Sequence, residues 1–279
     1  MKEAQVVEDE STLEPSRVPD AEKARVLTLG ECAALLASPD TGAPLALSKD
    51  GKALVAGDES FPIIDGLPLL FPASVQQFAG PSRLDVPGGG EDALRKYMHI
   101  SGLKFAREPT NSQHTDINYL KHVYRARGLL RHARGTVLDV GCDSPQVSRS
   151  QFPESAAYIG LEPTYEDRSE FRIIGISEFL PFRDESLDNV AILTTLDHAL
   201  DYHRSVDEAW RVLKPGGTLY LATLIWTHNA ELHHDHTHFH HFRDFEILGA
   251  LRRFEIQRLL WYSWKSNTHR FAWYLSATK

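Results

Sequence analysis

Cysteine is almost missing from this chain. Cys32 and Cys142 are the only two in 279 residues; lying far apart in sequence, they argue against a disulfide framework, and two thiols cannot by themselves ligate a structural zinc. Both are expected to be reduced. Long apolar runs are missing too: none reaches the roughly 18 residues needed to span a bilayer. The opening MKEAQVVEDESTLEPS is charged and has no apolar centre of a signal peptide. Membrane insertion is therefore not expected, and a cytoplasmic protein is. Positive charge is in deficit, with 38 acidic residues against 30 Lys and Arg and a net charge of −8. That balance opposes nucleic acid as the main partner, because grip on a phosphate backbone comes from neutralising it. The local exception is YLKHVYRARGLLRHARG, with Lys121, Arg125, Arg127, Arg131 and Arg134, for which a solvated helix face is the favoured reading.

What is present is an ordinary globular composition, 42% hydrophobic and 24% charged, so a wholly disordered chain is excluded. Residues 1–24 are acidic, polar and without apolar period, and read as a disordered tail. Residues 25–73 read as a small α+β domain: a helical GECAALLASPD, turns at DTGAP and SKDGK, a strand ALVAG, and SFPIIDGLPLLFP as a turn between two apolar arms. Pro and Gly crowd PSRLDVPGGGED, so residues 74–114 are expected to be a linker with a helical cap. From residue 115 to 279 helical spacing alternates with short apolar runs. DINYLKHVYRARGLLRHA is a helix in which Leu120, Val123, Tyr124 and Leu130 are expected to share an apolar side. TVLDV, AAYIGLE, FRIIGI, LDNVAILTT and GTLYLATLIW follow as strands, with HRSVDEAWRVLKPGG as a helix between the last two. Such alternation implies an α/β fold with a mainly parallel sheet wrapped by helices.

Ligands of a doubly wound sheet sit at the carboxyl ends of its strands. The informative residues are therefore those that end each run. The first run closes on Asp139, Val140, Gly141 and Cys142, and the second on Gly160, Leu161 and Glu162, 23 residues after Asp139. That is close to the separation at which such folds hold a ribose, whose two hydroxyls a carboxylate can accept.

VLDVGCDSPQVS, Glu162, and the run GISEFLPFRDESLDNVAILTTLDHALDYHRSVDEAWRVLKPGGTLYLAT together resemble a class I S-adenosylmethionine-dependent methyltransferase of the type 11-like group. The likeness covers roughly 140 residues with its anchors in order. It implies a Rossmann-like, seven-stranded sheet and S-adenosyl-L-methionine as cofactor. It further implies Asp139, Gly141, Cys142 and Asp143 around the methionine part, Glu162 and Pro163 at the ribose, and Ile176, Ser177 and Glu178 bordering the adenine. Thr194 and Thr195 would lie below the transferred methyl. Two departures stand out. The family turn D-x-G-x-G-x-G has Asp143 and Pro145 in place of its second and third glycines, where backbone approach and positive φ favour glycine; and Ile176 stands where many relatives carry an acid, with Glu178 as the expected substitute. The short run from Glu162 to Phe171 implies a truncated helix.

LLASPDTGAPLALSKDGKALVAGDESFPIIDGLPLLFP resembles the small zinc-ribbon-related activator domain of methyltransferases, without its ligands. Ser38, Pro39, Asp40, Thr41 and Gly42 occupy the first knuckle, and Ala56 the place of a later cysteine. No metal is expected there; a docking or substrate-shaping module and a packing appendage are both open. The run HNAELHHDHTHFHHF spans His228 to Phe242 and reads as a lid, a structural loop or, through alternating His236, His238 and His240, a metal face. The expected chemistry is methyl transfer to a small-molecule or glycan-like acceptor. His198 is the first candidate base, with Asp197, His238 and His240 behind it; a helix-start residue packed on the sheet edge describes His198 as well. The alternatives are a non-catalytic partner or scaffold on the same fold, and an RNA methyltransferase. Oligomeric state is not legible.

Overall fold

In a computed structural model the described residues are 24–73, 117–143, 148–163, 170–199, 201–227, 239–264 and 267–279. The chain order begins with β1 (Arg25–Val26), α1 (Leu29–Cys32), β2 (Ala46–Leu47), β3 (Ala53–Ala56), β4 (Glu59–Ile64) and β5 (Leu67–Pro68). Thr28 starts α1 with a reciprocal capping box to Glu31, which satisfies amides that the first turn leaves bare. Asp65 and Gly66 both take positive φ, 50° and 83°, at the tip of the β4–β5 hairpin. That geometry matches the right-handed twist of the flanking strands and suits Asp-Gly.

The larger part comprises α2 (Ile117–Leu130), β6 (Gly135–Val140), β7 (Ala156–Glu162), β8 (Ile173–Ile174), β9 (Leu187–Leu193), α3 (Tyr202–Val212), β10 (Leu213–Trp226), α4 (Asp244–Ala250), β11 (Glu255–Trp264) and β12 (Asn267–Thr278). Its strands run in the order β8, β7, β6, β9, β10, β12, β11, with β12 antiparallel to both neighbours. These are the seven strands the sequence implied. The short β1 is an addition: it pairs in parallel with the start of β7, Arg25 opposite Ala157, while β8 pairs with its end, Leu161 opposite Ile173. In α2 the buried side is Val123, Ala126 and Leu130. Tyr124, expected to share it, is 51% exposed; one step of about 100° from Val123 carries it off the stripe that the three- and four-residue spacing defines. α3 stops at Val212 because Pro215 lacks an amide proton and its ring would clash with the carbonyl four residues back.

The small sheet β2-β3-β4-β5 is joined to the large one at two places. Leu69 bridges Ile174 in parallel and the Leu70 amide donates to the Ile174 carbonyl at 2.7 Å, so the chain after β5 extends the β8 edge. Leu36 bridges Phe182, and both are fully buried in one core with Leu54, Phe61, Val140 and Leu161. Truncating Leu36 to alanine would cost about 2–5 kcal/mol by the usual cavity rule. The tail, the linker with its helical cap, Pro145, the segment 164–169 and His228 to His238 lie outside the described residues.

Candidate active site

Because β6, β7, β8 and β9 are parallel, the segments that follow them gather along one sheet edge. The turn after β6 is the most constrained. Asp139 is buried and accepts the Tyr158 hydroxyl at 2.7 Å. Burial lifts its carboxyl to about 7, with the Tyr158 bond acting against the shift and the neighbouring Glu162 charge adding to it. Gly141 has φ +75° and, with Cys142, donates its amide to the Leu161 carbonyl, at 2.8 and 3.2 Å. Burial pushes the Cys142 thiol well above its ordinary range, so it stays protonated and is unsuited to act as a nucleophile.

Asp143 takes φ +49°, the region a glycine would occupy. Its amide donates to Glu162 Oε2 at 3.0 Å, and its carbonyl accepts from Arg172 Nη1 at 3.1 Å. Glu162 ends β7, is buried, and is followed by half-buried Pro163. The sequence reading missed Arg172 and Tyr158. Arg172 had a signal: it is the charged residue inside the otherwise apolar FRIIGI, on the approach to a strand buried on both faces.

Ile176 is buried beyond β8, and the next two residues form a joint with α3. The Ser177 hydroxyl lies 2.8 Å from that of Ser205 and 3.0 Å from Glu178 Oε2. Glu178 is 2% exposed; its Oε1 accepts the Asp201 amide at 3.5 Å and its carbonyl accepts from Arg204 at 2.7 Å. The structure thus turns the Glu178 side chain toward the start of α3.

At the end of β9, Thr194 is exposed and holds φ +58°, an outlying conformation for a β-branched residue. Thr195 fills the space beneath Gly141, and its carbonyl accepts the His198 amide at 2.9 Å. His198 Nε2 lies 3.9 Å from Asp197 Oδ1. The described end of the histidine run docks here: the amides of Phe239 and His240 donate to the Asp197 carbonyl, and His240 Nε2 donates to the Ala199 carbonyl at 2.8 Å. The His240 ring stacks on Phe242 with an interplanar angle of 12°. Asp139, Gly141, Cys142, Asp143, Glu162 and Thr195 therefore form one cluster, continuous through Thr195 with Asp197, His198 and His240. His238 lies outside the described residues. Among the described residues no group of three His, Cys, Asp or Glu side chains is placed to share a metal ion.

Residues 138–221 match the methyltransferase domain family. The matched segment begins in β6 and ends in β10, enclosing every strand end just described. The chain is 26% identical over 104 residues to the human mitochondrial ubiquinone biosynthesis O-methyltransferase, covering 32% of this chain and 28% of that protein. It is 28% identical over 141 residues to the ubiquinone/menaquinone biosynthesis C-methyltransferase UbiE of Hahella chejuensis, covering 50% and 42%. The matches thus span less than half the length of either relative. The fold is shared with Burkholderia thailandensis 1,6-didemethyltoxoflavin-N1-methyltransferase, solved with bound 1,6-didemethyltoxoflavin and S-adenosylhomocysteine, at a TM-score of 0.54 and 13% identity over 81% of this chain and 97% of that one.

The donor set at these strand ends has the chemistry to hold a nucleoside. A carboxylate offers about four acceptor positions on two oxygens; Glu162, oriented by the Asp143 amide at the end of β7, has the chemistry to take a diol.

Proposed function

We propose that the protein transfers the methyl group of S-adenosylmethionine to a small-molecule acceptor. The observation that carries the reading is the convergence of Asp139, Gly141, Asp143, Glu162 and Thr195 at the carboxyl ends of three adjacent parallel strands. When bound, S-adenosylmethionine supplies an electrophilic sulfonium methyl group. Glu162 would hold the ribose hydroxyls, and the Gly141–Asp143 turn the methionine end. His198 would take up the proton that the acceptor gives up on methylation. Most of the rate gain comes from alignment, which can contribute up to roughly 7–11 kcal/mol in well-oriented systems.

The two curated relatives are named for quinone biosynthesis, which favours a small aromatic ring as acceptor over a glycan-like one. Phe239, half-buried and tied by its amide to the Asp197 carbonyl after β9, is an aromatic side chain that supports that choice. The small N-terminal sheet shapes this region: Leu67, Leu69 and Phe71 pack with Ile174 and Ile176, and Phe239 lies against the same group. Isothermal calorimetry with S-adenosylmethionine and S-adenosylhomocysteine tests the cofactor reading, followed by transfer of labelled methyl to a panel of phenols, hydroquinones and sugars. Absence of binding at millimolar cofactor would reject the enzyme reading in favour of a non-catalytic scaffold.

A further inference from the structure

Arg172 is the only buried Lys or Arg among the described residues, with no exposed surface at all. An interior guanidinium is strongly disfavoured unless charge and hydrogen bonds compensate it, so its location needs a reason. It lies just before β8, whose Ile173 pairs with Leu161 one residue before Glu162. From there Nη1 reaches across to the Asp143 carbonyl at 3.1 Å, while the Asp143 amide is held by Glu162 Oε2 at 3.0 Å. The peptide groups on either side of Asp143 are thus gripped by side chains of opposite charge. Two buried carboxylates, Asp139 and Glu162, stand in the same region, and the field of Arg172 extends to Cys142 in the turn.

A glycine-rich turn reaches φ near +50° without steric cost; aspartate does not. Here side-chain bonds offset that cost and fix what glycine would leave free. From this geometry we infer that Arg172 is a positioning residue for cofactor binding, which holds the Asp143 turn, and through its amide the Glu162 carboxylate, in place for the ribose diol. The inference rests on the methyltransferase reading above. Arg172 touches no reacting atom, so it governs how tightly the cofactor is held and leaves the transfer step alone.

The test is calorimetry with S-adenosylhomocysteine, together with steady-state kinetics for the cofactor, on the full chain and on Arg172→Gln and Arg172→Lys. Arg172→Gln removes the charge and is expected to bind S-adenosylhomocysteine about 10-fold or more weakly. KM for the cofactor should rise by a similar factor, while kcat at saturation stays within about twofold. Arg172→Lys restores the charge but not the planar fork, so about threefold weakening is expected. If Arg172→Gln does not fold, Arg172→Lys decides: about threefold weaker binding at unchanged kcat carries the inference, and wild-type affinity overturns it. Wild-type protein that binds with Arg172→Gln equal to it overturns the inference alone. Wild-type protein that does not bind overturns the methyltransferase reading, and the inference falls with it.

Discussion

Gly141 and Thr195 are so close that a Cβ added to the glycine would lie 2.2 Å from the threonine Cγ2 and 2.5 Å from its Oγ1. The turn after β6 and the segment after β9 are therefore packed as one unit. Gly141→Ala is expected to destabilise the protein by about 2–5 kcal/mol, summing a left-handed alanine and an overpacked contact. Thr195→Ala in the same chain removes Cγ2 and Oγ1 but leaves Cβ at 2.8 Å, so the double variant should recover part of the loss. Urea unfolding of both singles and the double measures this coupling. Additive losses would show that the contact is not what makes Gly141 necessary.

Much of this was legible in the sequence, and the limits of legibility are physical. Asp139, Gly141, Glu162 and Thr195 end apolar runs, and run ends survive in one dimension. The Asp-Gly tip of the β4–β5 hairpin was legible for the same reason, since its turn chemistry is local. What the sequence hid were contacts across it. Arg172 meets Asp143 over 29 positions and Tyr158 meets Asp139 over 19, and neither pairing leaves a periodic trace. Tyr124 was misplaced because an aromatic residue beside an apolar stripe scores as part of it until the helix is oriented. The Leu69–Ile174 bridge was hidden too, since an edge strand of one or two residues has no period to detect.

The buried Asp139 gives the protein an unusual dependence on pH. An ordinary aspartate titrates near 3.8, whereas folded Asp139 titrates at about 7. Between these values the folded state holds a proton that the unfolded state has released, so this group's contribution is complete below about 4 and is lost as pH rises to about 7. His122 runs the other way. Burial holds it down to about 4 against an ordinary 6.5, and its ring nitrogen Nδ1 is 2.9 Å from the Tyr274 hydroxyl; its contribution is present above 6.5 and lost toward 4. The wild-type profile mixes both slopes, so the informative comparison is with Asp139→Asn, which keeps an acceptor for Tyr158. Asp139→Asn is expected to be more stable than wild type at pH 8, by on the order of a few kcal/mol, and nearly equal to it at pH 4. Thermal unfolding across that range reads the gap; a gap independent of pH would mean that Asp139 titrates alike in both states.

In the N-terminal unit, side-chain hydrogen bonds tie the Ser38–Thr41 turn to Glu59. The Ser38 hydroxyl donates to Glu59 Oε1 at 2.9 Å and accepts the amides of Asp40 and Thr41, and the Thr41 hydroxyl donates to Glu59 Oε2 at 2.7 Å. Folding of this unit is therefore expected to be independent of zinc. Glu59→Ala strips two hydroxyls of their acceptor and should lower stability by about 1–3 kcal/mol, whereas a chelator should leave the melting temperature unchanged. Elemental analysis that finds about one zinc per chain, or a chelator-induced fall in melting temperature, would sink this account.

The proposed base makes the sharpest demand on the site. His198 is set by its own amide bond to Thr195, and the neighbouring Asp197 carbonyl receives both the Phe239 and His240 amides, so the imidazole is carried on a segment tied at both ends. His240 has its Nε2 engaged by the Ala199 carbonyl, which ties Phe239 and His240 to the segment after β9. If His198 takes the acceptor proton, His198→Ala should lower the transfer rate by about 100- to 10,000-fold. Its affinity for S-adenosylhomocysteine should stay within about twofold of wild type, because that product complex involves no proton transfer. His240→Phe preserves the stack on Phe242 and deletes the bond to Ala199; its effect should fall on stability and acceptor KM, with kcat far less affected than in His198→Ala. Rapid-quench assays separate the two: full chemical rate in His198→Ala would remove it from the mechanism, and a chemical rate in His240→Phe as low as that of His198→Ala would move the base role to His240.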